Sequence, residues 1–105
     1  MHSAFVLVAL LVAQAAPANL ELRRKQLADL LSEHWEYTMR TNPEYASVLG
    51  DKRYNDQITD FSEKAIHADI EAQKQFLARF LAVDVRGFPE QDALNHALMV
   101  RQIRV

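Results

Sequence analysis

Four histidines, His2, His34, His67 and His96, are the side chains in this sequence best suited to holding a metal or moving a proton. A zinc site on a helix wants two of them at i and i+4 with a glutamate between or beyond. No two stand at that spacing, so none is read as a ligand. Glu63 and Glu71 flank His67 one helical turn to either side, the pattern of ordinary surface pairs. Ser32, Ser47 and Ser62 are the candidate nucleophiles. No G-x-S-x-G turn surrounds any of them, and Ser62 is better used as a helix cap. Glu33 and Glu36 share a helix side, but an acid–base pair needs surroundings that split its pKa values, and both read as solvated. There is no glycine-rich phosphate loop. There is also no Cys, which removes thiolate nucleophiles, disulfides and Cys-ligated zinc within the chain. The residues therefore assign no catalytic, cofactor-binding or metal position.

Binding is the chemistry left to consider, and it concentrates in residues 33–56, EHWEYTMRTNPEYASVLGDKRYND, which hold the only Trp and all three Tyr. The plainer reading of Trp35, Tyr37, Tyr45 and Tyr54 is helix packing, with the polar tips reaching backbone or water. The sharper reading puts Arg53 and Tyr54 on a loop that faces a cleft, because loops on a rigid scaffold carry binding residues. Arg53, Tyr54, Trp35 and Tyr45 are accordingly the cleft or interface candidates.

The elements that must position them are helices. Two Gly and three Pro leave little room for tight hairpins, and 105 residues suffice for one small domain. Leu20, Leu27, Leu30, Leu31, Trp35 and Met39 recur at three- and four-residue steps and predict a helix over 20–41 with one apolar stripe. Pro43 ends it. Asn42-Pro43-Glu44 then reads as N-cap, first-turn proline and acid of a short helix over 43–49, with Tyr45, Val48 and Leu49 as its apolar face and Gly50 as its left-handed cap. Residues 51–59 are polar and irregular. Ser62 caps the next helix, Phe61 closing on Ile66 as a hydrophobic staple, and 63–83 carries Ile66, Ile70, Phe76, Leu77, Phe80 and Leu81 on one face. Residues 84–88, with Gly87, break the pattern. Pro89 and its acids start a last helix whose rhythm is Leu94, Ala97, Leu98, Arg101 and Ile103. The expected fold is all-α: a helical hairpin or three-helix arrangement with a short extra helix.

Ahead of these, residues 4–12 form an uncharged apolar run followed by Ala13-Gln14-Ala15 and Ala16-Pro17-Ala18, the layout of a secretory signal peptide cleaved after Ala15 or Ala18. A transmembrane anchor needs roughly 20 apolar residues, and Gln14 and Pro17 interrupt sooner. The expected organisation is thus a signal peptide over 1–18 and a helical segment over 19–105. The expected product is exported to the periplasm or beyond, with no stable membrane span after cleavage; the rival readings are a buried first helix and a first segment that stays attached as a membrane tether. Twelve basic residues against fourteen acidic ones give a net charge of -2, which offers no basic face for nucleic acid.

The succession E-x-W-E-Y, then N-P-E-Y-A-S-x-L-G-D-x-R-Y-N-D, is similar to the amino-terminal part of the bacterial domain-of-unknown-function 885 family. The likeness continues through Asp60-Phe61-Ser62, a long helix to Val83-Asp84, and Pro89-x-x-Asp92-Ala93-Leu94-Asn95. Members are several times longer, often exported, and resemble zinc-dependent peptidases with an H-E-x-x-H helix far downstream. No His here is followed by Glu. The resemblance implies an amino-terminal, non-catalytic segment of a metallopeptidase-like hydrolase. Any zinc would lie elsewhere in the full-length protein, and the partner would be the remainder of the same polypeptide. Arg53-Tyr54 matches the family's R-Y pair. The alternative is a stand-alone periplasmic helical module that binds a protein partner. A segment of this size has a marginal core, and its last helix reaches Val105 with no stop signal. The fragment reading therefore predicts apolar side chains left uncovered. Full shielding of Trp35, Phe76 and Leu98 would instead mark a self-sufficient bundle.

Overall fold

The computed structural model describes residues 2–104, with side chains described from Asn19 onward. The signal peptide and its cleavage sites rest on residues 1–18 and lie outside the described side chains. The chain is all-helical, with α1 (His2–Thr41), α2 (Pro43–Val48), a single 3-10 turn (Lys52–Tyr54), α3 (Glu63–Leu81) and α4 (Glu90–Arg104). No strand occurs among the described residues.

α3 packs against both α1 and α4 and shares its core with both. Leu27, Leu30, Phe76, Phe80 and Val83 form the buried cluster, with Leu31, Tyr37, Val85, Phe88, Met99, Val100 and Ile103 packed around it. The buried residues of α1 are Leu27, Leu30, His34 and Met39, the last as expected from the stripe; the first three form a turn-by-turn line turned toward α3. Trp35, expected on that stripe, is 51% exposed. Steps of four from Leu27 through Leu31 to Trp35 advance past the 3.6-residue turn, so each successive side chain rotates further from α3. His34 takes the inner place and meets its burial cost with a hydrogen bond, its Nε2–H donating to Gln73 Oε1 at 3.0 Å.

Three further expectations are corrected. Asn42 does not cap α2: its side-chain amide donates back to Thr38 O (3.0 Å) and satisfies the last turn of α1 instead. On α2 the buried residues are Pro43 and Ala46, while Tyr45, Val48 and Leu49 face outward. A helix under two turns can bury only one i, i+3 edge, and this one lays its small residues against α1. The staple between Phe61 and Ile66 is open, with both side chains exposed. The Asp60 carboxylate accepts the Ser62 N–H (2.9 Å), and this local turn sets the chain's direction into α3 without apolar help. Ser62 itself caps as expected, its Oγ accepting from the Ala65 N–H (3.1 Å). Gly50 takes the left-handed conformation at φ +93°, also as expected.

α4 is rotated from its predicted rhythm. Ile103 packs inward as expected, but it is joined by Met99 and Val100, whereas Leu94 and Leu98 face out. The His96 Nε2–H donates to Phe80 O at 2.7 Å. This bond ties α4 to the last turn of α3, where the Phe80 carbonyl also accepts from the Val83 N–H (3.2 Å).

Candidate functional site: the groove between the first and last helices

Because α1 and α4 each pack on α3, the space between them is filled from one side only. A groove of about 500 Å³ remains, walled by Leu31, His34, Trp35 and Thr38 of α1, by Tyr45 of α2, and by Asn95, Leu98, Met99 and Gln102 of α4. None of these is Asp, Glu, Lys or Arg. Leu31 and Asn95 also line a second hollow of about 400 Å³, which continues toward Glu21, Arg24, Lys25 and Asp92. There Arg24 Nε donates to Asp92 Oδ2 at 2.8 Å, a bond that runs directly from α1 to α4. The groove thus has one charged, bridged end and one apolar, open end. Trp35 and Leu98, on opposite walls of the open end, are 51% and 54% exposed.

Of the four candidates named from sequence, Trp35 and Tyr45 meet in this groove. Arg53 and Tyr54 do not line it. Arg53 is clasped by Asp51, with Nη2 to Oδ2 at 2.6 Å, Nε to Oδ1 at 2.9 Å and the backbone N–H to Oδ1 at 3.1 Å. Its guanidinium also reaches Glu36 of α1 (2.9 Å) and lies over the Tyr54 ring (5.3 Å). The hydrogen bonds from Arg53 hold the Asp51 carboxyl below its usual range, and Asp51 and Glu36 keep the guanidinium more firmly protonated. Arg53 therefore pins the loop after α2 onto α1.

A second clasp of the same spacing closes the turn before α4. Arg86 binds Asp84 through Nη2 (2.6 Å), Nε (2.9 Å) and its backbone N–H (3.1 Å). Arg23 of α1 donates to the carbonyls of Asp84 (2.6 Å) and Arg86 (2.8 Å). Asp-x-Arg is visible at both places in the sequence, and only its repetition could have flagged it. His34, Asn95, Met99 and Gln102 were not anticipated as groove residues. His34 alone had a signal, standing four residues beyond Leu30 on the core period.

Two other chemistry-bearing side chains of α1 link it to α3. Glu33 accepts two bonds from Arg79 (2.7 and 2.6 Å), and Tyr37 O–H donates to Asp69. Burial, aided by Asp69, pushes the Tyr37 phenol up to about 12. The described residues contain no cluster of three or more metal-ligating side chains. Among them no helix is long and apolar enough to cross a membrane. What the groove offers is an uncharged recess with aromatic walls. Comparison with protein-family models, with curated proteins and with solved structures gave no match.

Proposed function

We propose that the chain is the non-catalytic amino-terminal helical segment of an exported, zinc-peptidase-like hydrolase of the domain-of-unknown-function 885 family. On this reading residues 1–18 are its signal peptide, residues 19–105 dock on the remainder of the polypeptide, and any zinc is bound there. The family assignment rests on the residue string around Asn42 to Asp56. The docking role rests on one observation: Trp35 and Leu98, on facing walls of one groove, are both about half exposed. Large apolar side chains left half-exposed on facing walls of one groove suit a surface that receives a partner. The groove's uncharged lining suits the apolar stripe of a helix, which could seat there without stranding a charge.

A second reading has a separate protein fill the same groove. The closed seam between α1 and α3 favours it, because that seam gives the chain a core of its own. Trp35 is the sole tryptophan and separates the readings. In the full-length gene product, with every other tryptophan replaced by phenylalanine, its emission should be blue-shifted and protected from acrylamide relative to the 105-residue chain. Equal quenching in both would remove the intramolecular reading. An in-frame continuation lacking H-E-x-x-H would remove the hydrolase assignment independently of the groove.

A further inference from the structure

We draw no further inference here: the strongest candidate, the uncharged groove between α1 and α4 walled by Trp35, Tyr45, Leu98 and Met99, belongs to the site already described, and nothing in the structure shows what covers it.

Discussion

α1 presents two working faces, and they are finished to different degrees. Toward α3 it sends Leu27 and Leu30 into a cluster with Phe76 and Phe80, and three polar links run alongside: Glu33 to Arg79, His34 to Gln73 and Tyr37 to Asp69. Toward α4 it sends Leu31 and Trp35, and the described direct polar link is the Arg24–Asp92 pair at one end. What differs is whether the opposing helix turns its own stripe to meet it. α3 does so with Phe76 and Phe80; α4 spends Met99, Val100 and Ile103 on α3 and leaves Leu98 beside the groove. Hydrophobic residues stabilise only where area leaves water, so the first face holds the fold and the second remains available.

The sharpest way to break this comparison is to truncate one residue on each side. Phe80 is fully buried; Phe80→Ala should cost about 3–5 kcal/mol in chemical unfolding, enough to abolish cooperative folding in a domain this small. Leu98→Ala should stay within about 0.5 kcal/mol, as surface changes usually do. Equal losses would mean that the groove is closed in solution. The next effect in size is Gln73→Ala, which leaves the buried His34 ring without its acceptor. A cost of roughly 1–3 kcal/mol is expected for an orphaned buried polar group. A cost near zero in the same unfolding measurement would show that solvent from the groove replaces Gln73.

Much of this was legible from sequence, for identifiable reasons. The helix ends were written locally: Pro43 stopping α1, Gly50 and Gly87 at positive φ (+93° and +80°), Ser62 capping α3. The all-α class followed from periodicity. Helix rotation did not, because it is set between elements. Trp35 lay on a plausible stripe and faces the groove, since α3 selects the Leu27–Leu30–His34 line. Leu98 shared a rhythm with Leu94, yet both face out while Met99 and Val100 pack inward. For Arg53 and Tyr54 the sequence left both packing and a cleft-facing loop open, and it does not show that Asp51 and Glu36 lie within reach of Arg53. The groove is a relation between α1 and α4, some seventy positions apart on the order of Arg24 and Asp92, and no local pattern encodes it.

At high pH the two faces should separate again. Tyr37, on the α3 side, holds its proton to about 12, whereas in the unfolded chain the phenol gives it up near 10.0. Between those values the folded state binds more protons, so stability is intact below 10 and falls as pH rises toward 12. Ultraviolet titration of phenolate should show this late ionisation in the native chain and lose it in Tyr37→Phe. Asp69→Asn should lower it only partly, because burial is the larger cause. An ionisation unmoved by either substitution would place the late-titrating tyrosine elsewhere.

The smallest expected effect tests how the α4 side is anchored. Asp84 sits in the turn before α4, and its carboxyl is held well below the ordinary 3.8 by hydrogen bonds from the Arg86 side chain and backbone, with the charges of Arg86 and Arg23 adding to them. Asp51 is lowered in the same manner by Arg53. A depressed carboxyl contributes fully above the unfolded value and loses that contribution as pH drops below 3.8 through the folded value, where the unfolded chain takes up the proton first. Both groups are solvent-accessible, so salt should blunt both effects. Asp84→Asn should nonetheless flatten the acid limb of the unfolding midpoint more than Asp51→Asn. Arg23 grips the Asp84 turn through two carbonyls as well as through charge, and that grip fixes where α4 begins relative to α1. If Asp84→Asn also changes quenching of Trp35 while Asp51→Asn does not, the turn before α4 sets the width of the groove. If both leave Trp35 untouched, packing of Met99, Val100 and Ile103 on α3 is sufficient to hold the open wall in place.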